Sequence, residues 1–375
     1  MGRGFTVVVV ARRSLEAMSR RQIALAALAA AVAVAVVVGA LPGGGGDDSA
    51  DSSADGSADD PADDRGRAAA TGPALTGPVD RYVALGDSFT AVPLIPYVDA
   101  TQPTCLRSSA NYPAVLGAWV DAGRVVDVSC TAADTGDLND RGDGPGAAPP
   151  QLRAVTAGTD LVTLGTGGND FGVFGSLVTR CPALAAVDPD GAPCRESFAG
   201  GDGSDRLLGR MPAVERRLVV ALDEVARRAP HAVVAAVGYP RIVPAAGSCA
   251  ALPFAAGDYA WADRVERALN AALSRAARTT GAVYVDTYAA SRGHDACAGA
   301  QAWVNGRDSR ATRALAYHPY ATGMVGAASA AYTSLTGAQP GPRRLREAAR
   351  LARKRPAGTL SLREQRIMAA LVAGG

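Results

Sequence analysis

The feature that most constrains the fold is an alternation of short apolar strands with amphipathic helices between residues 80 and 338. The five predicted strands are Arg81–Leu85, Val125–Val128, Leu161–Gly165, His231–Val237 and Ala282–Val285. The main predicted helices are Tyr112–Ala122, Met211–Ala229, Asp258–Thr279 and Tyr320–Ser334. Strands that alternate with helices predict an α/β fold with a parallel sheet between two helical layers, and strands that are apolar throughout fit burial on both faces. We expect a functional site at the carboxyl ends of these strands.

The first 42 residues differ in character from this region. Two arginine pairs, Arg12-Arg13 and Arg20-Arg21, precede an apolar run, Ile23–Leu41. A basic segment followed by an apolar one is typical of an export signal, and the length of the run also suits a membrane anchor. We therefore predict a signal peptide or an N-terminal membrane anchor over residues 1–42. The protein is expected to be secreted or anchored to the outer face of the cell membrane.

Residues 43–79 and 339–375 flank the predicted domain and are strongly charged. Eight aspartates lie between Asp47 and Asp64 among Gly, Ser and Ala, which predicts an extended, disordered acidic linker. Residues 343–355 hold seven basic side chains, Arg343, Arg344, Arg346, Arg350, Arg353, Lys354 and Arg355. We favour a solvated, partly helical tail here over a segment that adheres to an anionic envelope surface.

Nucleic acid is not expected as a partner. The net charge is only +2, so no strong overall field attracts polyanions, and aromatic residues make up 5% of the chain, which argues against a base-stacking surface. The tail text TLSLREQRIMAALVAGG looks like the opening of a LuxR-type DNA-binding domain. The chain stops before a recognition helix, so this likeness does not support DNA binding.

The six cysteines indicate disulfides rather than a metal site. None of them forms a C-x-x-C pair, which argues against zinc. An even number behind an export signal is typical of disulfide-bonded proteins, and buried free thiols are the less favoured alternative. Six cysteines allow fifteen pairings, of which the nearest-neighbour set is the simplest: Cys105–Cys130, Cys181–Cys194 and Cys249–Cys297.

Polar motifs follow three of the predicted strands. Gly86-Asp87-Ser88-Phe89 follows the first strand, Ser129-Cys130-Thr131-Ala132-Ala133 the second, and Gly165-Thr166-Gly167-Gly168-Asn169-Asp170 the third, while His318-Pro319 precedes the last helix. Because the carboxyl ends of parallel strands meet at one edge of a sheet, we expect these groups to lie close together.

Ser88 and His318 are the candidate nucleophile and general base. A serine hydroxyl needs a base to take its proton, and the chain has three histidines. His231 opens a strand and His294 lies in a loop, so His318 is the best base by elimination. The motif around Ser88 is not G-x-S-x-G, which excludes the α/β-hydrolase nucleophile elbow. The alternatives are a helix-capping serine and a surface-loop histidine.

The candidate oxyanion donors follow from the same motifs. A tetrahedral oxyanion requires preorganised N–H donors. The side chain of Asn169, the backbone N–H of Ser88 and a backbone N–H from the loop after Cys130 are the candidates.

These motifs resemble those of the SGNH hydrolases, the GDSL lipase/esterase family. The matching segments are GDSF at Gly86–Phe89, GGND at Gly167–Asp170 and HP at His318–Pro319. The cysteine layout, the Gly238-Tyr239-Pro240 turn and the approach from Trp303 to His318 are similar to the secreted actinobacterial branch, over roughly residues 80–335.

The resemblance implies a three-layer α/β/α sandwich of the SGNH or flavodoxin-like type over residues 80–338. It also implies ester hydrolysis through an acyl-enzyme, no metal or cofactor, and the sequential disulfides. Ser88 is then the nucleophile and His318 the base, and Asn169 and the Ser88 backbone are oxyanion donors. The substrate is expected to be an acyl ester or lipid, and the protein a monomer.

The sequence departs from the family pattern at two positions. Ala132 stands where the family usually has a glycine; its backbone N–H is kept as the third oxyanion donor, with Gly136 as the fallback. Leu315 stands where the family often has an acid that orients the histidine. We expect the Leu315 backbone carbonyl to take that role in a Ser–His dyad, with Asp308 as a more remote candidate.

Two neighbouring aspartates are interpreted as structural: Asp87 as a brace of its turn and Asp170 as a partner of its loop. Alternative functions on the same site are a phospholipase or a glycan deacetylase. A non-catalytic envelope binding protein that keeps the fold is an alternative from a different class.

Overall fold

The structure is a computed structural model that describes residues 75–140 and 148–373. The predicted export segment, residues 1–42, and nearly all of the predicted acidic linker lie outside the described residues. Within the described ranges, none of the helices combines the length and the apolar character needed to cross a bilayer.

The core is one parallel sheet of five strands. The strands are β1 Arg81–Gly86, β2 Arg124–Asp127, β3 Leu161–Gly165, β4 Val233–Val237 and β5 Val283–Val285. They pair in the order β2-β1-β3-β4-β5, and every pair is parallel. The predicted sheet is confirmed. Its strand order reverses between β1 and β3, and ligands of open α/β sheets bind at such a switch point.

Eleven helices lie among the described residues. They are α1 Ser88–Ala91, α2 Tyr112–Trp119, α3 Val173–Gly175, α4 Cys181–Ala185, α5 Pro193–Phe198, α6 Met211–Arg228, α7 Tyr259–Thr280, α8 Thr287–Ala290, α9 Ala321–Thr336, α10 Pro342–Leu351 and α11 Leu362–Ala373. A π-helical segment, Ser176–Arg180, joins α3 to α4. The long helices begin and end within two or three residues of their predicted bounds.

The alternating side chains of β1 explain why helices cover both faces of the sheet. Val83 and Leu85 pack in one core with α6 and α7, while Tyr82 and Ala84 pack in a second core with α2 and α9. Successive strand residues point to opposite faces, and all of these side chains are fully buried. The result is the predicted three-layer α/β/α sandwich.

The C-terminal segment is partly helical and most of its basic side chains are exposed, as expected, but it also packs against the domain. The indole Nε1 of Trp119 donates to the carbonyl of Arg344 at 2.8 Å, and the Arg344 Nε donates to the carbonyl of Trp119 at 3.0 Å. Ala348, Leu360 and Met368 are buried. The arginine-rich sequence of this segment gives no sign of the packing, because the residues that bury it belong to α2 and to the loop after α1, which are distant in sequence.

All six cysteines form disulfides, in the nearest-neighbour pattern. The bonds join Cys105 to Cys130, Cys181 to Cys194 and Cys249 to Cys297, over sequence separations of 25, 13 and 48 residues. The predicted pairing is confirmed, and each bond joins segments outside the sheet, those of Cys181 and Cys194 being α4 and α5.

The disulfides should stabilise the fold in the order of the loops they close. We expect the double variant Cys249→Ser/Cys297→Ser to lower the free energy of unfolding by about 4 kcal/mol. The double variant Cys181→Ser/Cys194→Ser should lower it by about 3 kcal/mol. The first loss is larger because closing a longer loop removes more entropy from the unfolded chain. Urea denaturation of the two double variants measures the ranking. A larger loss for the 13-residue separation would contradict it.

Candidate active site

The first and third strands end side by side in glycine turns. Gly86 pairs with Gly165 across β1 and β3, and the N–H of Asp87 donates to the Gly165 carbonyl at 3.0 Å. A Cβ on Gly86 would lie 2.2 Å from Oγ1 of Thr90 and 2.6 Å from the Gly165 oxygen. Only glycine therefore allows the two chain turns to approach this closely.

Ser88 is the first residue of α1, directly after this turn. The helix is capped by Asp87, whose carboxylate accepts the N–H of Phe89 at 2.8 Å, so the alternative in which Ser88 is the cap is wrong. Ser88 is 7% exposed. Among the described residues, neither its hydroxyl nor its backbone N–H has a hydrogen-bond partner, so both are available to a substrate.

Asp87 links the Ser88 turn to the turn after β3. Its carboxylate is fully buried and accepts the Tyr239 hydroxyl at 2.5 Å. The Tyr239 oxygen in turn accepts the N–H of Gly168 at 2.8 Å. Burial raises the pKa of Asp87 to about 7, against the lowering effect of the hydrogen bonds from Tyr239 and Phe89. The interpretation of Asp87 as a brace is confirmed.

Gly168 and Asn169 form the next part of the site. A Cβ on Gly168 would lie 2.1 Å from Cε2 of Phe174, so an aromatic ring packs directly against this turn. The Asn169 Nδ2 donates to the carbonyl of Ala133 at 2.9 Å. One of its two N–H bonds is used to attach the loop after β2, and the second remains for another acceptor.

Asp170 fastens the same two loops together. Its carboxylate accepts the N–H and hydroxyl of Thr135, at 3.1 and 2.5 Å, and the guanidinium of Arg217 at 2.9 Å. Burial raises its pKa, and these hydrogen bonds oppose the rise. Asp170 is thus a partner of its loop, as the sequence indicated.

Ala132 has a backbone conformation that normally belongs to glycine. Its φ is +63° and it is exposed, and its N–H has no hydrogen-bond partner among the described residues. Ala132 keeps a free donor at some cost in strain. The fallback Gly136 is wrong as a donor, because its N–H is bound by the Asp134 carboxylate at 2.7 Å in a local turn.

His318 lies in a turn that orients its ring without a carboxylate. Its Nδ1 is 2.7 Å from the carbonyl of Ala316. A carbonyl only accepts, so Nδ1 carries the proton and Nε2 keeps its lone pair. The expectation of the Leu315 carbonyl is wrong. That oxygen accepts the backbone N–H of His318 at 3.2 Å and the amide of Asn305 at 3.1 Å.

The conformation of Tyr317 explains why the carbonyl of Ala316, and not that of Leu315, orients the His318 ring. Its φ of +59° reverses the chain just before the histidine, which brings the ring of His318 to the carbonyl two residues earlier. Asp308, the more remote candidate, is 80% exposed and its carboxylate lies 3.7 Å from the guanidinium of Arg307. The orienting group of the imidazole is therefore a neutral carbonyl.

The His318 side chain is half-buried beside the residue that follows Ser88. Its centroid lies 5.3 Å from that of Phe89, and its Nε2 is buried with no hydrogen-bond partner among the described residues. Burial lowers the pKa of His318 to about 4, and the bond to Ala316 partly offsets this. No hydrogen bond joins His318 to Ser88 in this structure.

The other two histidines have no place in the site. His231 is exposed two residues before β4, at the opposite end of the sheet. The His294 Nδ1 bonds to the carbonyl of Gln301 at 2.7 Å, and its ring stacks on Trp303 at 4.7 Å. Across the described parts of the chain, no three His, Cys, Asp or Glu side chains converge as a metal site requires.

Two buried amides support the site and were missed by the sequence reasoning. Gln151 donates to the Gly86 carbonyl at 2.9 Å and accepts its N–H at 2.7 Å. Asn305 donates to the carbonyls of Leu315 and Asp308, and accepts the Tyr320 hydroxyl at 2.7 Å. Neither Gln151 nor Asn305 lies in a motif. Their hydrogen-bond partners are far away in sequence or across a loop, so no local sequence pattern predicts these contacts.

The fold is a parallel α/β sandwich, and its candidate serine follows a strand without the nucleophile elbow of the α/β-hydrolases. The family model of the GDSL-like lipase/acylhydrolase family matches residues 84–325, and the chain belongs to that family. The predicted class, a carboxylic ester hydrolase of the lipase and esterase type, is confirmed.

Curated relatives and solved structures agree with this assignment. The chain is 44% identical over 233 residues to Lipase 2 of Streptomyces coelicolor, covering 61% of this chain and 77% of that one. It is 33% identical over 274 residues to an esterase of Streptomyces scabiei, with 64% and 79% covered. The structure resembles a phospholipase A1 from Streptomyces albidoflavus with a TM-score of 0.56 at 27% identity, covering 68% of this chain and 98% of that one. An extracellular lipase from Streptomyces rimosus matches with a TM-score of 0.55 at 27% identity, with 68% and 97% covered.

The left-handed conformation of Ala132 makes a stability prediction. Ala132→Gly should raise the free energy of unfolding by about 1 kcal/mol, because glycine adopts this φ without a Cβ clash. Thermal unfolding should shift upwards by about 2–4 °C. Ala157→Gly is the matched control, since Ala157 is an exposed loop alanine outside the left-handed region, and it should lose stability. A loss of stability in both variants would contradict the strain argument.

Proposed function

We propose that Ser88 and His318 form a catalytic dyad that hydrolyses acyl esters through an acyl-enzyme. The observation that carries the proposal is the state of the imidazole: Nδ1 is held by the Ala316 carbonyl, and the buried Nε2 has no hydrogen-bond partner among the described residues. Nε2 accepts the proton of the Ser88 hydroxyl while the oxygen attacks the ester carbonyl. The imidazolium then protonates the leaving alcohol, and water releases the acid by the reverse sequence.

Three N–H donors are proposed for the oxyanion that forms in this attack. They are the backbone N–H groups of Ser88 and Ala132 and the free N–H of the Asn169 amide. The two backbone groups have no other acceptor among the described residues, and the amide is anchored at Ala133 by its other N–H. Donors that are already in place need no reorganisation when charge develops, which is the main source of their effect.

The proton transfer requires a rearrangement of the side chains, because Ser88 and His318 are not hydrogen-bonded to each other in this structure. Serine hydroxyls change rotamer easily, and catalytic hydrogen bonds often tighten only when substrate binds. A neutral carbonyl on Nδ1 stabilises the imidazolium less than a carboxylate would. The proposed dyad therefore depends on the oxyanion donors for much of its rate.

The proposed substrate is an acyl ester or lipid, and the proposed location is outside the cytoplasm. Three disulfides suit an oxidising compartment, and the similar Streptomyces rimosus protein is described as an extracellular lipase. Secretion or anchoring through residues 1–42, a monomeric state and the absence of a nucleic-acid partner belong to the same proposal.

A phospholipase is the second candidate, favoured by the likeness to the phospholipase A1 of Streptomyces albidoflavus. Chromogenic esters from acetyl to palmitoyl, assayed beside vesicles of a diacylphospholipid, separate the two candidates. Preference for the acetyl ester would instead favour a deacetylase.

The dyad makes a direct prediction for the nucleophile. Ser88→Ala should lower kcat for a chromogenic ester by about 10³-fold or more, because the acyl-enzyme cannot form. The exposed loop serine Ser204 is the control, and Ser204→Ala should keep full activity. A fluorophosphonate probe should label the wild type and fail to label Ser88→Ala and His318→Ala. Undiminished turnover by Ser88→Ala would refute the proposal, and would leave a non-catalytic role for this residue.

The lowered pKa of His318 predicts an unusually acidic limit of activity. The value of kcat/KM should stay level from pH 8 to about pH 5 and fall only near pH 4, because the neutral imidazole is the reactive form. An exposed histidine would cause the fall near pH 6.5. Half-maximal activity near that pH would contradict the burial argument.

The lowered pKa of His318 also makes the free energy of unfolding depend on pH. The unfolded chain binds a proton at this histidine from about pH 6.5 downwards, whereas the folded chain binds it only near pH 4. The contribution of His318 to the free energy of unfolding is thus present above the unfolded pKa and is lost as pH falls through that window. Circular dichroism at each pH shows whether the protein is still folded, and so distinguishes acid unfolding from a loss of catalysis in the folded protein.

A further inference from the structure

We propose that Gln365, in the C-terminal helix α11, is a positioning residue for the active site. It lies outside residues 84–325, which the family model matches. We infer that its side chain holds the loop after α1 in the conformation that supports both Ser88 and His318. This inference rests on the proposed function, because it assigns Gln365 an effect on the Ser–His dyad.

The Gln365 side chain bridges two backbone groups of that loop. Its Nε2 donates to the carbonyl of Leu94 at 2.7 Å, and its Oε1 accepts the N–H of Val98 at 3.3 Å. Gln365 is fully buried. Removing this amide would leave a buried carbonyl and a buried N–H without their partner, which costs more than the net value of the two bonds.

The loop needs such external support because its backbone is strained. Val92 and Leu94 have φ angles of +54° and +69°, and both are fully buried. The left-handed region is costly for any residue with a Cβ and most costly for a β-branched one. Such conformations persist only where surrounding contacts enforce them.

The loop is attached to the candidate nucleophile at its start. The N–H of Val92 donates to the carbonyl of Ser88 at 2.9 Å and ends α1. A change in the conformation of Val92 would therefore act on the helix whose first residue carries the reactive hydroxyl.

The same loop is attached to the turn that holds the candidate base. The carbonyl of Pro93 accepts the N–H of Leu315 at 3.2 Å, and the carbonyl of Leu315 accepts the N–H of His318. Pro93 is the direct neighbour of Leu94, which Gln365 holds. One buried amide in α11 is thus connected through a few backbone groups to both members of the dyad.

Relaxation of this loop should change the approach of Ser88 to His318 more than the binding of a small ester. Gln365→Met keeps the side-chain length and removes both hydrogen bonds. We expect it to lower kcat by about 10- to 100-fold, as misplaced catalytic groups do, while KM for p-nitrophenyl butyrate changes by less than about threefold. The assay is run at 25 °C on the full chain, with circular dichroism and a thermal melt for each variant.

A matched control lies next to Gln365 on the same helix. Arg366 is exposed, and Arg366→Ala should match the wild type in kcat and KM. Met368 packs in a buried cluster with Val98, Leu106 and Leu360, and Met368→Ala removes packing from this cluster without touching either hydrogen bond of Gln365. It should lower the melting temperature and leave kcat within about twofold at 25 °C, which separates stability from positioning.

Gln365→Glu supplies a readout that a purely structural role would not move. A protonated carboxyl can donate to the Leu94 carbonyl, and a carboxylate cannot. Burial should raise the pKa of this carboxyl, so the kcat of Gln365→Glu relative to the wild type should rise several-fold from pH 8 to pH 5.5. If Gln365→Met does not fold, this ratio carries the test.

Two results would overturn the positioning role. The first is a kcat within twofold of the wild type for a folded Gln365→Met, and the second is a flat activity ratio for Gln365→Glu across that pH range. Either result with an inactive Ser88→Ala defeats this inference alone. An active Ser88→Ala defeats the proposed function itself.

Discussion

The in-register pairing of β1 with β3 is the constraint on which the rest of the structure depends. Gly86 lies opposite Gly165, so both strands end at the same level and their turns leave the sheet together. The strand order reverses at this point, which is where ligands of open α/β sheets bind. Ser88 follows the turn after β1, and Gly168 and Asn169 lie in the turn after β3, so the pairing sets the level at which these candidate groups leave the sheet.

Buried hydrogen bonds then hold these turns in place. Asp87, Tyr239 and Gly168 form one chain of hydrogen bonds between the first and third turns, and Gln151 and Asp170 attach their neighbours. Each of these groups would be costly to bury alone. The apolar body of the domain provides the free energy of folding, while the polar network selects a single arrangement of the loops.

The candidate active site is also supported from outside the sheet. The C-terminal segment packs along α2 and the loop after α1, and the three disulfides join segments outside the sheet. The imidazole of His318 is oriented by a neutral carbonyl and by burial, without an acid. A site of this kind relies on rigid surroundings more than on a strong charge partner.

The sequence by itself determined the sheet, the covering helices and the motif residues, because apolar strands, helical periodicity and glycine turns are local patterns. The strand Leu161–Gly165 and the three disulfides were predicted correctly. Only the tertiary structure decided that the Ala316 carbonyl, and not that of Leu315, orients the histidine, since this depends on one backbone angle at Tyr317. It likewise decided the hydrogen bonds of Gln151 and Gln365, whose partners lie 65 or more residues away. A hydrogen bond between distant residues leaves no periodic or compositional signal, so folding has to bring the groups together before their role can be seen.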